Sequence, residues 1–218
     1  RDSLKAVDNA SFSVPEGSIF GLLGRNGAGK TTTIRMMMNI YMPDSGTVTY
    51  QGINAGPDFN SKVGYLPEER GLYKKMKVLE TLLFFAEIKG KKGRDVTKLA
   101  KKYLEQFDLA DRMNSKIEAL SKGNQQKVQF ISTLLHDPEV LILDELFSGL
   151  DPINTNIMKN MILELKQQGK IILFSTHVMS FAEKMCDHIA IIDHGKIKIN
   201  GALADIKAER SHRNVSLN

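Results

Sequence analysis

Continuous apolar runs and helical spacing alternate along the 218 residues of the chain. Residues 18–23 ("SIFGLL"), 140–143 ("VLIL"), 170–175 ("KIILFS") and 188–193 ("HIAIID") carry short runs without strict alternation, as in parallel strands buried on both faces. Between them the period lengthens to that of helices, over 29–40 behind the first run and over 153–167 and 178–186 among the last three. Residues 6–14 ("AVDNASFSV") and 47–53 ("TVTYQGI") alternate instead, and predict a small antiparallel β region near the N-terminus. Residues 78–88 and 95–107 have helical spacing with no strand pattern between them. The expectation is one α/β domain over 1–218 with a mainly parallel core sheet. Residues 1–71 and 136–218 would form its core, and about 72–135 an inserted helical subdomain.

Composition changes this picture little. Hydrophobic residues at 42% and charged ones at 25% are those of an ordinary globular protein. No stretch approaches the ~20 apolar residues of a membrane span, and "RDSLKAVDNA" lacks the build of a signal peptide. The chain does not begin with Met, which points to a trimmed or partial chain. The lone Cys186 excludes an intrachain disulfide and suits the cytoplasm. A net charge of +5 reads first as a lysine-rich solvated surface, and "KGKKGR" at 89–94 as a Gly-punctuated turn. Cys186 and the methionines of "RMMMN" (35–39) read as packing.

Chemistry concentrates behind the first strand. In "GRNGAGKTT" (24–32), Gly24 and Gly29-Lys30-Thr31 have the spacing of a phosphate-binding loop, between strand and helix as that motif requires. Glycines let successive backbone N–H groups of Asn26, Gly27, Ala28 and Gly29 face phosphate oxygens. The helix that starts near Gly29 adds its positive end. Lys30 would reach the terminal phosphates, with Thr31 and Thr32 on the first turn and the Thr31 hydroxyl on Mg²⁺. A second apolar strand, "VLILDE", delivers Asp144 to the sheet's C-terminal edge as a Mg²⁺ partner. Glu145 follows, able to polarise a water in line with the γ-phosphate.

Over essentially its whole length the sequence resembles the ATP-binding subunits of ABC transporters, P-loop NTPases by fold. "LSKGNQQK" (120–127) matches that family's signature segment, "FSGLD" (147–151) its D-loop, and His177 after "ILFST" its switch histidine; "VGYLPEERGLY" (63–73) lies where its Q-loop does. The resemblance implies ATP hydrolysis, with ATP and Mg²⁺ bound and with Glu145 and His177 catalytic. Ser121, Lys122, Gly123 and Asn124 would meet the ATP of an opposite protomer, in a homodimer or a heterodimer with another such subunit. Ser148, Gly149, Leu150 and Asp151 would form the D-loop between the protomers. Bottom-up, Ser121 is a natural N-cap for a helix running to about Leu135, a second anion-binding helix end in one chain.

This sequence departs from the family at several positions. Lys122 stands for a Gly, Asn124 for a Gln, and Leu146 for a Pro. Glu68 replaces the Q-loop Gln, and can still hold Mg²⁺ or water while adding negative charge. No aromatic precedes Phe12, so the adenine-stacking residue either lies upstream of Arg1 or is replaced by aliphatic packing. The resemblance further implies a separate transmembrane permease, received near "EERGLYKKMK" (68–77), and a peripheral place on the cytoplasmic face of the membrane. The compact length resembles bacterial export ATPases, including sodium and drug efflux types. A soluble ABC ATPase acting on ribosomes or DNA is the alternative; the twin cassettes or coiled-coil insertion usual there are not visible, and no nucleic acid partner is expected. A small-molecule kinase would share the phosphate loop only.

Overall fold

The computed structural model describes residues 5–69 and 71–211. Four apolar runs become neighbouring parallel strands: β1 (Ile19–Leu23), with β5 (Val140–Leu143), β6 (Ile171–Thr176) and β7 (His188–Asp193). To these the structure adds two strands the apolar pattern did not predict, β4 (Val63–Leu66), parallel to β5, and β8 (Lys196–Ala202), antiparallel to β7. The order across the sheet is β4-β5-β6-β1-β7-β8. The β7–β8 hairpin turns through His194 and Gly195, both at positive φ, as the tight connection of two twisted strands favours.

Alternate residues of each inner strand enter opposite cores. Ile19, Leu141, Leu143, Ile172 and Phe174 face α3 (Val78–Ile88), α4 (Arg94–Gln106), α5 (Lys122–Leu134) and α6 (Pro152–Gln167). Phe20, Leu22, Ile142 and Leu173 face α1 (Lys30–Met37) and α2 (Pro57–Lys62) through Ile34, Met38 and Phe59. Burial on both faces is why these strands carry consecutive apolar residues rather than one at every second position. Outside this pattern, α7 (Met179–Met185) and α8 (Leu203–Ser211) pack Ala182, Leu203 and Ile206 with Leu23 and Ile189 at the β7 side of the sheet.

The antiparallel region is smaller than the alternation predicts. It consists of β2 (Thr49–Tyr50) and β3 (Ile53–Asn54), two residues each, and residues 6–14 form no strand. Phe12 and Val14 pack against the core, with Phe12 stacked on Phe20 at 5.3 Å between ring centroids. Alternation reports burial on one side of a segment; it does not require a partner strand, and here the segment lies on the sheet without pairing.

Parallel pairing brings the C-terminal ends of β4, β5, β6 and β1 to one edge. Leu66 is opposite Leu143, Leu143 opposite Phe174, and Leu23 opposite Thr176. Gly24, Glu68, Asp144 and His177 therefore leave the sheet on the same side.

Candidate functional site

The phosphate loop is held tightly from beneath. A Cβ on Gly24 would come within 2.4 Å of the Ile192 carbonyl, and one on Gly29 within 2.7 Å of the Ala6 carbonyl. Gly29, at φ 109°, precedes Lys30 in a conformation that favours glycine, and no side chain caps the helix that follows. The first-turn N–H groups of α1 thus keep their capacity for an anion. Asn26 and Gly27 are exposed, Ala28 is buried, and Thr31 and Thr32 are half-buried on the first turn.

Lys30 turns inward beneath the loop, only 5% exposed. Its ammonium donates to the carbonyls of Gly24 (2.8 Å) and Arg25 (3.2 Å), and pairs with Glu145 Oε1 at 3.1 Å. His177 Nδ1 lies 3.2 and 3.1 Å from the two Glu145 oxygens, so this carboxylate sits between a buried lysine and a partly exposed imidazole. The segments predicted separately from 24–32, 140–145 and 177 meet here.

Asp144 is 1% exposed. Its backbone N–H donates to the Leu66 carbonyl at 2.8 Å, its Oδ1 accepts from the Ser175 hydroxyl, and its Oδ2 is buried without a hydrogen-bond partner. The same Ser175 oxygen accepts the Glu145 N–H at 3.0 Å. Glu145 itself has φ 50°, a left-handed backbone that a side chain of its size seldom adopts. Glu68 is exposed in the bend after β4 and, among the described residues, is not drawn into the hydrogen bonds of Lys30, Asp144, Glu145 and His177.

The signature segment opens α5, with Ser121 as the N-cap accepting the Asn124 N–H at 3.2 Å. Lys122 is exposed at this end, beside half-buried Gly123 and Asn124. No hydrogen bond or ion pair among the described residues joins Ser121–Asn124 to the phosphate loop. The segment meets instead the D-loop region of its own chain. A Cβ on Gly123 would lie 3.1 Å from Asn154 Nδ2 and 3.7 Å from the Leu150 side chain. Ser148 and Gly149 are exposed, Gly149 at φ 70°. Asp151 caps α6 by accepting the N–H groups of Asn154 (2.9 Å) and Ile153 (3.0 Å). Those donors, Asn154 first, hold its carboxyl below the usual aspartate value.

Sequence reasoning missed two polar groups that tie these segments together and a third that anchors the signature helix to the end of α4. Ser175 is one. Gln126 in α5 donates to the Leu146 carbonyl, which joins the signature helix to the residue after Glu145. Lys127, 3% exposed, donates to the Phe107 carbonyl at 2.7 Å, and burial pushes its ammonium down. The available signal was weak: a lone serine in "LFST", and a glutamine and lysine inside a segment already explained by its family match.

A glycine loop under a helix end, a buried lysine, and two carboxylates on a neighbouring strand end define a P-loop nucleoside triphosphatase. A family model described as "ABC transporter" matches residues 7–148. The chain is 47% identical over 213 residues to the ABC transporter ATP-binding protein YhaQ of Bacillus subtilis (strain 168), covering 98% of this chain and 72% of that protein. It is 36% identical to the fluoroquinolones export ATP-binding protein Rv2688c of Mycobacterium tuberculosis (strain H37Rv), covering 96% of this chain and 69% of that one. A solved structure of the ATP-binding subunit of an ABC transporter superposes with a TM-score of 0.88 at 32% identity, covering 97% of this chain and 90% of that one. The chain belongs to the ABC transporter family as an ATP-binding subunit, and is an ATPase. No helix among the described residues is long and apolar enough to cross a membrane.

Proposed function

We propose that this ATPase closes as a head-to-tail dimer around two ATP molecules and drives a separate membrane permease in an export system. The observation that carries the reading is the Glu145 carboxylate held between Lys30 and His177 at the mouth of the phosphate loop. Glu145 pairs with Lys30 across 3.1 Å. Triphosphate oxygens arriving at the loop N–H groups take over the lysine, and Glu145 is then free to accept a hydrogen bond from the attacking water. His177 keeps the carboxylate from swinging away. Asp144 and Thr31 offer oxygen ligands suited to Mg²⁺, and the orphaned, buried Asp144 Oδ2 fits a cation. Among the described residues no group of three or more His, Cys, Asp or Glu side chains could cage a metal, so phosphate and water oxygens must complete any coordination. Mg²⁺ bound there would supply charge neutralisation on the β- and γ-phosphates. Glu68, exposed nearby, would act only through water.

Among the described residues no hydrogen bond or ion pair joins Ser121–Asn124 to the loop of their own chain, in keeping with a role toward a partner's ATP, with Ser148–Asp151 at the contact. On the permease side, Tyr73 (53% exposed), within the 68–77 segment, packs edge-on against Phe84 (36%) of α3 at 5.3 Å. An exposed aromatic pair there suits an apolar partner helix, and residues 72–135 would form the subdomain that carries it. The names of export relatives support the direction of transport, and the permease would hold the subunit at the cytoplasmic face of the membrane. Affinity purification of the full chain from membranes tests this: a polytopic membrane protein should co-purify. Recovery with ribosomes or DNA instead would overturn the transporter reading.

A further inference from the structure

We propose that Ser175 is a positioning residue for hydrolysis: its hydroxyl fixes the backbone of Glu145 and selects which Asp144 oxygen remains for a metal ion. The inference rests on the reading that Glu145 and Asp144 serve ATP hydrolysis.

Backbone pairing of β5 with β6 ends at Leu143 opposite Phe174, so Ser175 is the first β6 residue beyond it. There β5 leaves the sheet. Its peptide N–H at Glu145 would lose an acceptor, and the Ser175 Oγ supplies one at 3.0 Å. The hydroxyl proton goes to Asp144 Oδ1, a bond assisted by the carboxylate's charge. One fully buried oxygen therefore bridges the two acidic residues. A serine buried for packing alone would turn its hydroxyl to a nearby carbonyl, as Ser18, Ser132 and Thr133 do in this chain.

The two bonds have distinct consequences. Glu145 has a left-handed backbone, which persists only where its surroundings hold it. Ser175 grips that backbone while His177, two residues on, grips the side chain. Occupying Oδ1 also leaves Oδ2 as the one unpartnered oxygen of Asp144, buried and fixed in direction. Without the hydroxyl the carboxylate can rotate and the Glu145 peptide can flip.

The test is a cycle in the full chain: wild type, Ser175→Ala, Ser175→Thr, Glu145→Gln and Ser175→Ala/Glu145→Gln. Phosphate release is measured with ATP and Mg²⁺ varied independently. Ser175→Ala should lower kcat by about 10- to 100-fold, with KM for ATP within about threefold, as for loss of a preorganised donor. The Mg²⁺ concentration for half-maximal rate should rise, and Ser175→Thr should restore most of the rate. In the Glu145→Gln background Ser175→Ala should cost little more, because both act on one group. Fully additive losses, or an unchanged kcat and Mg²⁺ dependence, would overturn the inference even if Ser175→Thr failed to fold. A wild-type chain that neither binds nor hydrolyses ATP would remove it together with the function it rests on.

Discussion

Replacing Glu145 by Gln separates binding from chemistry. The substitution keeps the shape and one hydrogen-bonding oxygen but removes the charge that faces Lys30 at 3.1 Å. At that separation, with the effective dielectric of about 20 that suits protein sites, the gross attraction is about 5 kcal/mol. ATP must displace this attraction to engage Lys30, and phosphate must then sit beside an anion. Most of the gross figure is recovered when phosphate replaces carboxylate, so a net gain near 1.4 kcal/mol, about tenfold in affinity, is the expected order. The chemical step moves the other way. Loss of a general base costs about 10²–10⁴-fold, or roughly 3–5 kcal/mol. Fluorescent-nucleotide titration reads the first effect and phosphate release the second. Size-exclusion chromatography reads a third: with hydrolysis blocked, the chain should become a dimer in ATP and remain a monomer in ADP. Hydrolysis within threefold of wild type would refute the assignment and move the role to His177. Weaker ATP binding would refute the competition between Glu145 and phosphate for Lys30.

Other outcomes follow from the same geometry. Lys30→Ala should abolish measurable ATP binding, and retained micromolar affinity in a titration would refute the loop assignment. Ser121→Arg should leave ATP binding to the isolated subunit intact while removing hydrolysis, since in the proposed dimer the bulky cation would stand where a partner's nucleotide docks. It is a cleaner probe than Gly123→Asp, whose Cβ already meets Asn154 at 3.1 Å within the chain. His136 is 7% exposed, with Nε2 on the Val63 carbonyl at 3.1 Å and Nδ1 unpartnered. Burial first, then the nearby Lys89 charge, hold its imidazole below the ordinary value of 6.5. The unfolded chain takes up this proton first, so stability should fall as pH drops below that value. Thermal melts between pH 7 and 5 should show a shallower slope for His136→Gln; parallel slopes would refute the argument.

The sheet was legible because strands buried on both faces carry consecutive apolar residues, a run that β1, β5, β6 and β7 each write into sequence before their polar ends. The meeting of Lys30, Asp144, Glu145 and His177 was legible for a related reason: each stands at the C-terminal end of a strand or just behind one, and parallel pairing aligns those ends. Residues 6–14 misled because Phe12 and Val14 alternate with polar neighbours whether or not a strand partner exists. Ser175 was invisible because its importance depends on where β5 stops pairing, a property of two strands. The same holds for Gly123 against Asn154, which are brought together by the packing of α5 on α6. Glu68 shows the limit of motif position alone, since the structure leaves it exposed beside the site.

Cys186 carries a practical consequence. Its sulfur lies where a side chain on Gly21 would sit, 2.7 Å from the built Cβ, and burial pushes its thiol up to about 12. Burial therefore disfavours its thiolate at neutral pH relative to an exposed thiol. The native cysteine should accordingly react with maleimides more slowly than a surface thiol, which a labelling time course of the native chain checks. A cysteine placed at exposed Glu105, away from the residues assigned to nucleotide and partner, would accept a fluorophore or spin label. Distances between labels would then test whether subunits approach and part through a nucleotide cycle as proposed, on the otherwise native sequence.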